Sequence, residues 1–157
     1  MAPLPASQTP APSAPAVVLD SNAVFDWLLF QNPDGLAIGA ALAAGRMRWF
    51  ATASMRDELT HVLARGELGR WRPDPVAIQA SWALHCAEWP SPENPDPTGR
   101  FRCTDPDDQK FIDLALACHA RWLLTRDRAV LKLAKRLRTA GIEVLTPTAW
   151  AAAHATG

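Results

Sequence analysis

Four acidic residues, Asp20, Glu58, Asp108 and Asp127, stand where an apolar run gives way to a turn or a helix. Asp20 follows Val17-Val18-Leu19, and Asp127 follows Trp122-Leu123-Leu124-Thr125. Open parallel sheets bind ligands beyond the carboxyl ends of their strands, so acids just after two neighbouring strands would share one rim. Glu58 and Asp108 each fall in the first turn or so of an expected helix that starts from the same side. Four carboxylates brought together repel one another unless some are protonated or a cation joins them. Oxygen donors without His or Cys suit a hard ion, Mg²⁺ or Mn²⁺, better than zinc. Such an ion polarises a phosphoryl oxygen and acidifies a bound water, which makes phosphodiester hydrolysis the expected chemistry. Taken singly, each acid also reads as a helix cap or a solvated surface group, and only the set argues for a site.

The third acid has competitors, because Asp105, Asp107 and Asp108 are close together. Asp108 is the expected ligand, since it precedes Phe111 and Ile112 at helical spacing and shares their inward side. Asp107 is placed to cap the helix, and Asp105 is left as an outer partner of the cluster.

The elements that must position these acids alternate between strand and helix. Val17–Leu19, Met47–Ala51, Arg121–Thr125 and Ile142–Leu145 read as buried strands. Helices are expected over Ala23–Gln31, Leu36–Ala44, Met55–Arg65, Pro75–Glu88, Asp107–His119 and Ala129–Ala140, with a last one from Thr146-Pro147. Asn32-Pro33-Asp34-Gly35 is expected to break the chain, and the proline-rich stretch Pro90–Gly99 is a loop. Strands separated by helices pair in parallel, giving an α/β fold with helices on both faces of a sheet of about four to five strands. Residues 1–16, rich in Pro and Ala, are expected to form a disordered tail, with one domain over residues 17–154.

VVLDSNAVFDWLL, MRDELTHVL, DPDDQKFIDLALA and LLTRDRAVLKL, in this order, resemble the successive motifs of PIN domains. The resemblance spans Val17 to Thr148 and is nearest to the subgroup of toxin components of toxin–antitoxin systems. It implies a three-layer α/β/α sandwich and a metal-dependent endoribonuclease in which Asp20, Glu58, Asp108 and Asp127 form the acidic cluster around one or two ions. Asn22 and Thr125 match the polar positions that support the first and last acids. The same resemblance implies an RNA substrate, a homodimer and a small antitoxin partner covering the acidic cleft. A rival reading keeps the fold and drops the chemistry, leaving a module that binds RNA or protein. A phosphatase or phosphoacceptor is disfavoured, because the residue two after Asp20 is Asn22 rather than a second Asp.

Lys+Arg and Asp+Glu both number 16, so attraction to a polyanion has to come from local patches. Arg121 to Arg138 is such a patch, with Arg126, Arg128 and Lys132 as candidate RNA contacts, and Arg128, Lys132, Lys135 and Arg136 on one face of the expected helix. An ordinary solvated helix face explains the same residues equally well. The seven Trp suit a core or a subunit interface, to which Trp82 and Trp89 could belong. Cys86, Cys103 and Cys118 show no CxxC pair and read as reduced thiols of a cytoplasmic protein. His61, His85, His119 and His154 are scattered and read as structural or exposed. No glycine-rich phosphate loop and no run of about 18 apolar residues is present, which argues against a P-loop nucleotide site and a membrane span.

Overall fold

A computed structural model describes residues 14–154 of the protein. The elements run β1 (Ala16–Leu19), α1 (Ser21–Leu28), α2 (Pro33–Ala43), β2 (Arg48–Ala51), α3 (Ala53–Ala64), α4 (Pro75–His85), β3 (Cys86–Glu88), α5 (Gln109–Ala117), β4 (Trp122–Leu124), α6 (Arg128–Leu131), α7 (Ala134–Arg138), β5 (Glu143–Leu145) and α8 (Pro147–His154). All strand pairs are parallel, in the order β3-β2-β1-β4-β5. Helices cover both faces of this sheet, as the α/β reading requires for strands that are apolar throughout.

β1 is central because its residues can be buried from both sides: Val17 and Val18 are fully buried, as are Leu123 and Leu124 beside them on β4. Each such side chain contributes roughly 1.5–3 kcal/mol of apolar burial. From β1 the chain builds outward through β2 and β3 on one side, then crosses back to place β4 and β5 on the other. The order therefore reverses between β1 and β4, and the crevice at their carboxyl ends is the topological switch point where open α/β sheets bind ligands. Pairing there is tight, with Leu19 opposite Leu124 and the Asp20 N–H donating to Leu124 O at 3.1 Å.

Several local expectations give way to longer-range packing. Asn32-Pro33 starts α2 instead of breaking the chain: the Asn32 side chain accepts the Gly35 N–H at 2.8 Å, and Pro33 occupies the first helical position, where its missing N–H costs nothing. Gly35 and Gly39 then let α2 lie directly on α1. A Cβ at Gly35 would collide with the backbone of Asp26, and one at Gly39 with the Trp27 ring. The helix expected to reach Glu88 stops at His85, because Cys86–Glu88 pairs with β2 and adds a fifth strand. Leu84 consequently points to solvent while the His85 ring packs on Trp27. The helix expected over Ala129–Ala140 is two short ones, α6 and α7, so the basic residues between Arg128 and Arg136 do not share a continuous helical face.

Trp82 is a core residue, not an interface one: it is buried with its ring 4.5 Å from that of Trp49, while Trp89 packs on Phe50. The folded region begins inside the stretch expected as tail. Ala14 is buried and its carbonyl accepts from Arg48 Nε, and Ala16 opens β1. Residues 1–13 of that expected tail lie outside the described residues. Among the described residues no helix is long and apolar enough to cross a membrane.

Candidate active site

Asp20 leaves β1 with an extended backbone and caps α1, its Oδ1 accepting the Ala23 N–H at 2.8 Å. Its second oxygen, Oδ2, accepts from the Thr125 hydroxyl at 2.5 Å. The carboxylate is thereby fixed at both ends and only 4% exposed. Burial pushes its pKa up, and the Thr125 and Ala23 hydrogen bonds oppose that shift.

Thr125 directly follows β4 and is completely buried. Besides donating to Asp20, its hydroxyl oxygen accepts the Asp127 N–H at 2.9 Å. One hydroxyl thus sets both the Asp20 side chain and the Asp127 backbone. Asp127 in turn caps α6, with Oδ1 accepting from Ala129 N at 2.9 Å.

Asp108 arrives from the other side of the rim, at the junction of a short 3-10 turn (Pro106–Asp108) and α5. The capping role expected of Asp107 falls to Asp105, whose Oδ1 accepts the Asp107 N–H at 3.0 Å. The reason is local: Pro106 takes the first position of the turn, which places its cap one residue earlier, and Asp107 is left exposed. Gln109 anchors the segment from behind, accepting from Cys103 N and donating to Asp113.

Asp105, Asp108 and Asp127 can each bring one carboxylate oxygen within 4.8 Å of the other two. The Asp108 oxygen Oδ2 is shut off from solvent and has no hydrogen-bond donor. Burial first, then the neighbouring Asp127, and then the charges of Asp105 and Asp20 push the Asp108 carboxyl up to about 7. Two carboxylates at this distance can be bridged only by a shared proton or by a cation. The donor set is oxygen alone, which fits a hard divalent ion. Cys103 is close enough to feel the same three acids, but burial raises its thiol and keeps it protonated.

Glu58 is not part of this trio. Its side chain is 45% exposed on α3 and pairs with Lys110 of α5. Arg56, two residues before Glu58, pairs instead with Glu88 on β3. Asn22 is exposed in the first turn of α1. Arg126, Arg128 and Lys132 are all exposed just beyond Thr125.

Sequence reasoning missed Asp26, which is 2% exposed within α1. It accepts from Asn32 Nδ2 at 3.1 Å and pairs with Arg126 at 3.1 Å. The available signal was an acid flanked by Phe25 and Trp27 inside an otherwise apolar helix, a position that demands a buried partner. A separate cavity of about 430 Å³, lined by Trp27, Leu36, Trp71, Asp74 and Ile78 among others, includes none of the site carboxylates.

A family described as PIN domain matches residues 16–129, which include β1 through Asp127 and all four acids expected from sequence. The chain belongs to the PIN domain family, and its five-stranded parallel sheet is the fold of that family of nucleases. No curated protein matched the chain.

Proposed function

We propose that this PIN-domain chain is a metal-dependent endoribonuclease that hydrolyses RNA phosphodiester bonds with Mg²⁺ or Mn²⁺, and that it serves as the toxin of a toxin–antitoxin pair. The observation that carries the catalytic reading is the Asp108 oxygen, buried without a donor and facing Asp127, with Asp105 in reach. Asp105, Asp108 and Asp127 would hold the ion, and Asp20, locked by Thr125 and Ala23, adds a fixed carboxyl group beside them. When bound, the ion supplies Lewis-acid polarisation of the phosphoryl oxygen and acidifies the attacking water. Thr125 keeps Asp20 and Asp127 in register, and the caps on Ala23 and Ala129 stop either acid from rotating away. Arg128 and Lys132 lie on the approach to the rim, where they would draw the RNA backbone toward the acids.

The toxin role, a homodimer and a small antitoxin that covers the rim follow from the likeness of the motifs around Asp20, Asp108 and Asp127 to the toxin subgroup. A second reading, RNA or protein binding without cleavage, is favoured by one observation: Glu58 stands outside the trio and is neutralised by Lys110. Incubating the protein with single-stranded RNA, with and without chelator, separates the two. Metal-dependent cleavage that Asp127→Asn abolishes is expected, together with growth arrest on expression of the wild type only. Equal cleavage by wild type and variant would sink the nuclease reading, and RNA binding without metal-dependent thermal stabilisation would establish the silent one.

A further inference from the structure

We propose that Asp26 and Arg126 form a phosphate clamp, in which Asp26 holds the Arg126 guanidinium at the acidic rim so that its free N–H groups grip one backbone phosphate of a single-stranded RNA. The inference rests on the reading of the rim as an RNA-processing site and assigns the substrate contact within it. Arg126 stands between Thr125 and Asp127, and its charge reaches Asp20. One of its terminal nitrogens meets Asp26 Oδ1 at 3.1 Å, while the side chain stays 48% exposed. A guanidinium offers five donors in a planar fork, so pairing with a single carboxylate oxygen leaves most of the fork open to solvent. That fork matches the geometry of a phosphate.

A latch that merely fastens α1 to the loop after β4 is a poorer account of the pair. The neighbouring bonds from Asp20 N to Leu124 and from Thr125 to Asp20 already join these elements. A carboxylate that is 2% exposed loses hydration that a half-exposed partner returns only in part, so the pair is an inefficient source of stability. What it does produce is a preorganised cation. Asn32 Nδ2 bonds the same Asp26 oxygen while Asn32 Oδ1 caps α2, so the carboxylate is fixed by two elements before substrate arrives. Arg128 and Lys132, by contrast, have no carboxylate partner among the described residues, and they would lose side-chain freedom on binding.

The test is binding of a fluorescent single-stranded RNA to the full chain in a cleavage-deficient Asp127→Asn background, at a series of salt concentrations, with KM and kcat measured in the active protein. Arg126→Gln is expected to weaken binding about tenfold and to lower the slope of log affinity against log salt by about 0.7, one single-strand phosphate contact. Asp26→Asn, which frees the cation without removing it, is expected to raise KM about threefold, since the guanidinium must then be ordered on binding, with kcat unchanged. Arg126→Lys is expected to restore the slope but not the affinity. If Arg126→Gln strands the Asp26 carboxylate and lowers the melting temperature, the double variant with Asp26→Asn removes both charges and must still show the reduced slope. Unchanged slope and affinity, with only the melting temperature lowered, would overturn the clamp and leave the nuclease reading intact. A wild type that binds RNA with the Arg126-dependent slope yet never cleaves would sink the nuclease reading and keep the clamp, and no RNA binding at all would end both.

Discussion

The carboxylates of this protein fall into two groups that differ in who neutralises them. Glu58 and Asp26 each face a cation supplied by the chain itself, Lys110 and Arg126. Asp20, Asp105, Asp108 and Asp127 are gathered at the β1/β4 switch point with no Lys or Arg within ion-pair distance among the described residues. A chain that pairs Glu58 and Asp26 with its own cations and leaves these four acids together has an acidic group that could hold a cation from outside. The contrast separates acids paired within the chain from acids left without a partner cation, and substitutions on its two sides should behave oppositely.

The largest effect is expected inside the unneutralised group. Removing a ligand charge must cost at least what removal of a supporting partner costs, so Asp108→Asn or Asp127→Asn should lower cleavage by about a hundredfold or more. Both variants should also abolish the rise in melting temperature that Mg²⁺ or Mn²⁺ produces. If the ion still stabilised Asp108→Asn as it does the wild type, the trio would not be its site.

Next in size is Thr125→Val, which keeps the shape and removes the hydroxyl. Asp20 Oδ2 loses its donor and the Asp127 N–H its acceptor, both at buried or half-buried positions. A loss of about ten- to a hundredfold in activity is expected, with roughly 1–3 kcal/mol of stability lost per unsatisfied group. Thr125→Ser, keeping the hydroxyl, should recover most of the activity in the same cleavage assay. No rescue by Ser would mean that the bridge is a packing contact.

The pH dependence of the metal-free protein sharpens the same division. Asp108 is raised from an ordinary carboxyl value to about 7, and Asp20 and Asp26 are raised by burial. A carboxyl whose pKa is higher in the folded state holds more protons there than in the unfolded chain. Stability then falls as pH rises from about 4 to about 7, the opposite of the usual ion-paired acid. Melting curves without divalent ion should decline across that window, and Asp108→Asn should flatten the decline. With ion present the slope should shrink, because the bound cation favours the deprotonated trio. A curve that rises over the same range would place the repulsion elsewhere.

What was legible in the sequence follows from how local each signal is. Asp20 and Asp127 could be found because strand, turn and cap are written in consecutive residues, and the parallel sheet follows from their alternation. β3 was not legible: Cys86–Glu88 is too short to show a period, and it becomes a strand only because β2 offers an unpaired edge. The cap on the Pro106–Asp108 turn moved by two residues because proline sets where the turn begins. Asp26 and Glu58 depended on partners from distant segments, Arg126 and Lys110, and nothing local to an acid announces which cation will reach it.

The smallest effect is expected at Glu58, and it is the one that most directly tests the division. Glu58 pairs with Lys110 across α3 and α5 with both side chains partly open to water, a setting in which ion pairs contribute about 0–1 kcal/mol. Glu58→Gln should therefore leave the melting temperature nearly unchanged. If Glu58 belongs with the structural acids, cleavage at saturating metal should also stay within about threefold of the wild type, and the metal-induced rise in melting temperature should persist, as befits an exposed pair of that size. If Glu58 leaves Lys110 to join the trio when the ion binds, Glu58→Gln should cut activity as deeply as Asp108→Asn while the metal-free protein stays unaltered. Lys110→Met decides between these outcomes from the other side. Freed of its cation, Glu58 should then strengthen metal binding if it can reach the rim, and do nothing to it if α3 holds it apart.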